Sequence, residues 1–524
     1  MIDESGASRS PWMARNGAVR SETLSNDADA DVCVIGAGIS GLSVAYSLAR
    51  EGRSVIVVDD GAIGRGDTSR TTAHLSSVID DGFASIEKLH GVEGARGVYR
   101  SHAAAIDRIE AIARENSIDC GFQRVDGILA QADGVSPDAL RAEFAAATRA
   151  GIAVEQFASS PIEGLALGAC LRFADQAQMH PLRYLDGLAA AFVRLGGRLY
   201  SDAHVLAVLD GEPARVEVNG GRTVTARSVV VATNSPVTTL FAMHTKQSAY
   251  RTFVIGAACP RGSVPQVLLW DNASPYHYAR LVPGRGLETA ELLIVGGEDH
   301  KTGQADDAEQ RYAGLETWMR RQFPLARQVE FRWSGQVLET LDGLAYIGRE
   351  PGTEHVYLAT GDSGMGMTHG TIAGMLITDL IVGRENPWKD LYAPDRKPLG
   401  AAREFVRENL NVAAQFVDLV KPGQVASADE IPRGSGAIVR RGIHLVAAHR
   451  DDDGSMHELS AICTHLGGVV HWNSAERSWD CPCHGTRYAI DGRVLNGPAS
   501  QPLADAQHDD TVSANAVSAR SVDA

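Results

Sequence analysis

The stretch DVCVIGAGISGLSVAYSLAREGRSVIVVDD spans Asp31 to Asp60. Its opening residues form a short apolar run ended by glycine, the pattern of a buried strand. Gly36-Ala37-Gly38-Ile39-Ser40-Gly41 follows, then the helix-forming LSVAYSLAREG and a second apolar run, SVIVVD. In such a unit each glycine has its own task. Gly36 permits the tight turn, Gly38 lets backbone N–H groups approach a pyrophosphate, and Gly41 lets the helix lie close on the sheet. The helix N-terminus then faces the phosphate charge. Asp59 closes the second strand eighteen residues after Gly41, where a carboxylate can bond a ribose hydroxyl. With glycines, flanking elements and terminal acid in register, Gly36, Gly38, Ile39, Ser40, Gly41 and Asp59 are expected to bind a dinucleotide.

Around this unit the chain is long, 524 residues, and calls for two or three domains. Its composition, 44% hydrophobic and 22% charged, is that of an ordinary globular protein. A net charge of −16 argues against nucleic acid as a partner. No run approaches the roughly 20 apolar residues of a membrane span, and the first residues lack the apolar core of a secretory signal. Three of the seven cysteines, Cys463, Cys481 and Cys483, fall within one short stretch. That concentration points to metal rather than to disulfide bridges, and to a reducing cytoplasmic setting.

The texture of the chain sets expected boundaries. Residues 1–28 read as a disordered leader. Residues 29–395 mix helical segments with short β-like runs such as SVVVAT and ELLIVGG, an α/β domain with a second sheet layered on it. Residues 396–422 form a linker with an amphipathic helix whose Phe405, Leu410, Val412, Phe416 and Leu419 should face a core. Residues 423–510 turn to short β-runs with Gly and Asp turns, and 511–524 read as a disordered tail.

Four further segments carry a resemblance: GRGDTSRTTAHLSS (Gly64 to Ser77), VVVATNSP (Val229 to Pro236), LDGLAYIG (Leu341 to Gly348) and LATGDSGMGMTHGTIAGMLITDLI (Leu358 to Ile381). They are similar to the D-amino-acid-oxidase-like FAD-dependent oxidoreductases, in the branch of γ-glutamylputrescine oxidase. The resemblance implies an α/β (α+β) FAD-binding Rossmann-type domain with an interleaved antiparallel-sheet substrate domain. It also implies that Arg70, Thr71 and Thr72 lie along FAD, and Gly364, Met365, Gly366, Met367 and Thr368 near its isoalloxazine end. The register SRTTAHL further resembles the segment of dimethylglycine dehydrogenases in which a histidine carries the flavin covalently. His74 takes that place, although Ala73 stands where those enzymes have tryptophan; the other reading is a histidine packed beside non-covalent flavin. No second GxGxxG occurs in a strand–helix setting, as an NAD(P)H-consuming reductase would need.

Near the other end, Cys463-Thr464-His465 precedes Cys481-Pro482-Cys483-His484 by fifteen residues. Two cysteines and two histidines could hold zinc in a tetrahedron, but C-x-H is a poor spacing for it. The C-x-H…C-x-x-H pattern, with HLGG, PCHGTRY and LNGPASQPL around it, resembles a Rieske [2Fe-2S] domain, a small all-β module. The resemblance puts Cys463 and Cys481 on one iron and His465 and His484 on the other; imidazole ligation raises the potential. Thr486 and Tyr488 are expected to donate to cluster sulfurs and raise it further. Gly468 stands where respiratory-type Rieske proteins have a cysteine that bridges to the counterpart of Cys483.

For the substrate, strand alternation through YHYAR should put Tyr276, Tyr278 and Arg280 on one face, and Tyr278, Arg280 and His300 are the candidate catalytic residues. The expected activity is FAD-dependent oxidation of a C–N bond in a small amine or amino acid. Electrons would pass to the Rieske cluster and on to an external acceptor. Other readings are an O₂-using amine oxidase with a regulatory Rieske module, an electron-transfer component serving a partner oxygenase, and a flavin-bound scaffold with no activity.

Overall fold

The computed structural model describes residues 6–14, 19, 21–165, 167–237, 241–282, 290–397 and 399–506. They fall into two units: Ser8–His300 with Glu309–Phe405, and Met1–Ala7 with Lys301–Ala308 and Val406–Ala524.

The larger unit is built on the strand Ala28–Ile35. Its apolar half, Val32 to Ile35, is buried on both faces, as a central strand flanked by parallel neighbours requires. Val34 pairs with Val57 of Val55–Val58 on one side and with Val230 of Arg222–Asn234 on the other, both parallel. Each of these fully buried valines contributes roughly 1.5–3 kcal/mol. The sheet continues through Arg198–Ser201 and Val356–Thr360. The helix Ile39–Arg50 packs against the helix Gly366–Val382 at unusually short range. A Cβ at Gly370 would lie 2.8 Å from Ser40 Oγ, and one at Gly374 2.8 Å from Ser43 Cβ. Those two glycines bring the starts of both helices, and the glycine turns before them, into one neighbourhood.

A second sheet of nine strands runs in the order Val329–Thr340, Gln247–Pro260, Ala290–Lys301, His277–Val282, Val267–Asp271, Gln123–Ala130, Cys170–Gln178, His74–Leu75, with Val154–Phe157 beside Cys170–Gln178. All its pairings given are antiparallel except the parallel one between Val267–Asp271 and Gln123–Ala130.

The smaller unit holds two antiparallel sheets. One is a meander of Ser435–Arg441, His444–Arg450 and Met456–Ser460; the other orders His471–Asn473, Ser478–Asp480, Arg487–Tyr488 and Val494–Asn496. Its core gathers Trp472, Trp479, Tyr488 and Leu503 around the three cysteines. Lys301–Ala308, which continues directly from the strand Ala290–Lys301, belongs to this unit. A Cβ at Gly303 would stand 2.8 Å from the Asp480 carbonyl and 2.9 Å from Pro482 N, and Asp306 accepts from the Ser474 N–H and hydroxyl.

Two expectations are corrected. The leader is not loose where it is described: Trp12 is fully buried, Ser10 Oγ donates to the Ser69 carbonyl, and Glu22–Thr23 pairs with Tyr200 and Ser201. Composition misses this because one tryptophan supplies most of the anchoring. The amphipathic helix, Ala402–Gln415, has only part of its expected face covered. Val412 and Phe416 pack on the smaller unit's core, whereas Phe405, Leu410 (65% exposed) and Leu419 are exposed. The expected tail, 511–524, lies outside the described residues. Among the described residues no helix is long and apolar enough to cross a membrane.

Candidate dinucleotide site and metal centre

The turn after Ala28–Ile35 has the geometry its glycines require. Gly36 has φ +105° and sits so close to the Arg222–Asn234 strand that a Cβ would be 2.5 Å from the Ala232 carbonyl oxygen. A Cβ at Gly41 would overlap the Gly36 carbonyl itself. No side chain caps the helix Ile39–Arg50 from its N-cap, Gly38, although Thr68 Oγ1 accepts from Ile39 N at 3.2 Å. The helix Gly366–Val382 also starts without a side-chain cap from its N-cap, Met365. Two neighbouring helix N-termini with orphan N–H groups fit the phosphates and ring edge of a dinucleotide. Asp59 accepts from Ala37 N at 2.5 Å and Gly61 N at 2.9 Å, with burial and then Asp60 pushing its carboxyl up to about 7. It thus braces the turn as well as ending the strand.

The segment after the second strand is held by its backbone. The carbonyls of Arg70, Thr71 and Thr72 accept, in order, from Trp333 Nε1 at 2.8 Å, Trp12 Nε1 at 2.7 Å and Arg280 Nε at 2.5 Å. Losing one such partner strands a carbonyl and costs about 1–3 kcal/mol where the site is dry. Ala73 follows with φ +54°, a strained conformation for a residue with a side chain. His74 Nδ1 lies 3.1 Å from Thr72 Oγ1 and Nε2 3.4 Å from the Ala279 carbonyl. Burial and then the Arg280 charge push this imidazole down to about 3, so it is neutral.

Arg280 therefore does not serve as the expected substrate-facing cation. It is buried, and besides Thr72 it bonds the Gln178 side chain and the Met179 carbonyl. It is a positioning residue for the Arg70–His74 segment. Arg70 likewise uses its guanidinium on Ser8 and the Ser334 carbonyl. Around Gly364 to Thr368, the side chains of Met365, Met367 and Thr368 are buried; only Gly364 and Gly366 are open, so contacts there come from backbone. The turn is fixed by two histidines that carry no sequence signal. His102 Nδ1 meets Thr368 Oγ1 at 2.8 Å, and His369 Nδ1 donates to the Asp362 carbonyl at 2.9 Å.

Antiparallel pairing assigns the sheet faces. Thr252 pairs with Gly335 and Ser248 with Glu339, which sets Glu339 and Thr252 on one face; Phe253, paired with Ser334, is on the other. The Tyr278 hydroxyl is 3.2 Å from Thr252 Oγ1, and its ring stacks on Tyr276 at 5.6 Å and meets His74 edge-on at 5.2 Å. Tyr278 is on the face, shared with Tyr276, that strand alternation predicts. His300 is not: it stacks on Phe253 at 5.5 Å, away from Tyr278, and Asp299, bonded to Thr252, takes the inner face. Gly297 (φ +136°) and Glu298 (φ +59°) break the regular strand just before this point, so simple alternation miscounts it.

This face is acidic. Tyr276 donates to Asp80 Oδ2 at 3.3 Å. Asp80 and Asp81 are exposed to water although protein surrounds them. Burial, then neighbouring Asp81 and Asp299, pushes Asp80 up to about 7. Burial and then Asp67 bring Asp362 to about 7, and burial brings Asp299 to about 6. Glu339 is raised well above the usual range by burial and then by Asp81, Asp80 and Asp299.

In the smaller unit, two loops bring four donors together as two pairs. Cys463 and Cys481 are buried with their thiols in hydrogen-bonding contact. The His465 and His484 rings meet edge-on at 5.0 Å. Burial keeps both imidazoles neutral, at about 4. Among the described residues, no three His, Cys, Asp or Glu converge on one ion position. A thiol pair beside an imidazole pair suits two irons better than one tetrahedral zinc. Tyr488 Oη lies 3.2 Å from Cys463 Sγ, and Thr486 Oγ1 is buried without a partner among the described residues, as a donor awaiting a sulfide would be. The second loop is anchored by Asp480, whose carboxylate accepts from Arg487, Ser478 and Asn473.

A Cβ at Gly468 would lie 2.5 Å from Cys483 Sγ and 3.2 Å from Cys481 Sγ. Gly468→Cys is thus expected to form a disulfide with Cys483 after a shift of a few tenths of an ångström. Closing that loop of about 15 residues should stabilise the unit by about 3 kcal/mol. Thiol titration and melting with and without reductant check it; an unchanged thiol count would contradict it.

Known proteins show both halves. The model of the FAD dependent oxidoreductase family (DAO) matches residues 31–380, and that of the Rieske [2Fe-2S] domain residues 421–507. The chain is similar to the Bacillus subtilis (strain 168) protein YhfW, named as a Rieske 2Fe-2S iron-sulfur protein: 29% identity over 497 residues, 94% of this chain and 96% of that one. It is also similar to gamma-glutamylputrescine oxidoreductase of Escherichia coli (strain K12), at 26% identity over 69% of this chain and 86% of that one. Among solved structures, glycine oxidase from Geobacillus kaustophilus superposes with a TM-score of 0.59 at 20% identity, covering 71% of this chain and 99% of that one.

Proposed function

The chain belongs to the FAD dependent oxidoreductase (DAO) family and carries a Rieske [2Fe-2S] domain, and from that premise we propose that it is a dehydrogenase of a small amine or amino acid whose electrons leave through the Rieske centre. FAD and a [2Fe-2S] cluster are its cofactors. FAD supplies a hydride acceptor for the C–H bond beside nitrogen, and the cluster supplies a one-electron outlet to an external acceptor. The substrate R–CH₂–NH₂ gives up that hydride and an N–H proton, and water converts R–CH=NH to aldehyde and ammonia.

The chain's own residues orient and exclude. The Arg70–Thr72 carbonyls, held by Trp333, Trp12 and Arg280, fix the backbone expected along FAD. Tyr278, backed by neutral His74, walls the substrate side. Positioning of this kind can carry amine oxidation without a dedicated base. The observation that carries the reading is a complete Rieske donor set fused to a complete dinucleotide turn. The relative named for gamma-glutamylputrescine supports an amine as substrate.

Cys481→Ser is the test. It is expected to abolish the cluster and to lower turnover with a one-electron acceptor at least about tenfold, with hydrogen peroxide taking a larger share of the product. Peroxide formation that dominates in the parent and is unaltered in the variant would favour an oxidase with a regulatory module.

A further inference from the structure

We propose that the substrate is a linear diamine or polyamine, held by the carboxylates of Asp80, Asp299, Glu339 and Asp362 and by the Tyr276–Tyr278 pair, and that it is not an α-amino acid. The proposal rests on the reading of this face as the substrate side of the flavin site, and names what that side accepts.

Four observations converge. The acids come from four separate places in the chain: Glu339 shares the sheet face of Thr252 and Tyr278, Asp299 bonds Thr252, and Asp80 accepts from Tyr276 and stands where a Cβ at Gly364 would be. A Cβ at Gly366 would lie 2.5 Å from Asp362 Oδ2, which places that carboxylate at the turn itself. Asp299 Oδ1 and Asp362 Oδ1 are buried atoms without a hydrogen-bond partner among the described residues. Such acceptors are costly unless something supplies donors, and an ammonium group carries three. The stacked Tyr276 and Tyr278 rings offer faces on which a methylene chain or an ammonium can rest.

An amino acid would bring a carboxylate into this wall. The two arginines beside it, Arg70 and Arg280, are already bonded to protein groups. Arg311 and His277 bear on Asp299, and His90 on Asp81, which leaves Asp80, Glu339 and Asp362 to repel an anion. Burial first, and like-charged neighbours second, raise the proton affinities of Asp80 and Glu339; for Asp362 the second cause is Asp67. A dication relieves the like-charge repulsion; a zwitterion adds to it.

The test is calorimetric titration of the FAD- and cluster-loaded protein under anaerobic conditions with 1,4-diaminobutane, n-butylamine, glycine and D-alanine. The diamine is expected to bind at least about tenfold more tightly than butylamine, with the gap narrowing in high salt. Asp80→Asn and Glu339→Gln should each weaken diamine binding about tenfold while melting no lower than the parent, since each replaces an acid crowded by other acids with a neutral amide of the same shape. The rise or constancy of Tm separates this outcome from misfolding, and the salt response of the parent stands independently of any variant. The proposal is overturned if either amino acid binds more tightly than the diamine, or if both variants bind the diamine as the parent does. Flavin absorbance in the same samples separates the two readings. A diamine that binds without bleaching the flavin sinks the dehydrogenase reading alone; an amino acid that binds and bleaches it sinks this proposal alone.

Discussion

Gly41→Val is expected to yield a protein that retains its iron–sulfur cluster and binds no flavin. The residue stands where the helix Ile39–Arg50 crosses the turn, and any Cβ there overlaps the Gly36 carbonyl, with Val34 Cγ1 a further 3.3 Å contact. Neither can withdraw cheaply: the Gly36 N–H is bonded to the Val58 carbonyl, and Val34 is paired on both sides in the centre of the sheet. The turn must open, which removes the N–H groups expected at the pyrophosphate. Overpacking against side chains costs about 1–3 kcal/mol, and a backbone obstacle exceeds that, so affinity should fall at least about a hundredfold. The cluster donors belong to the other unit and should load normally. Absorbance and iron analysis read both at once; a stoichiometric flavin would refute the geometry.

Asp480→Ala is expected to remove the cluster. Asp480 and Arg487 form a fully buried ion pair, 3.2 Å apart, at the two ends of the loop bearing Cys481 and His484. Replacing such a pair by apolar groups can be harmless, but deleting one partner leaves a buried charge and costs about 3–5 kcal/mol. The loop's own bonds, Cys481 N to the Thr486 carbonyl and Gly485 N to the Cys481 carbonyl, are then poorly supported. Iron content and the melting of this unit should both fall sharply. A variant with full iron and an unchanged Tm would show that the loop is held by something else.

These two sites were also the most legible in the sequence, for a physical reason. A dinucleotide turn and a C-x-H…C-x-x-H loop pair are local constraints, each set by a few neighbours in the chain. The acidic face is not. Asp80, Asp299, Glu339 and Asp362 are ordinary acids in sequence, and only the folded arrangement of distant strands and turns makes them neighbours. His300 faces Phe253, and Asp299 faces Thr252 instead, because the irregular backbone at Gly297–Glu298 changes which side chain turns inward. Arg280 was placed on the correct face, but its charge is taken up by the Thr72 and Met179 carbonyls. Trp12 shows the opposite failure: an aperiodic polar leader gave no sign that one indole would donate to Thr71.

The central claim is that one chain removes electrons at one cofactor and exports them at another. The most direct measurement is an anaerobic titration of the purified protein with amines and amino acids, following flavin absorbance and low-temperature EPR on the same sample. The account predicts that one amine bleaches the flavin and that a Rieske-type signal grows with it. A flavin that bleaches fully while the cluster stays oxidised would contradict it.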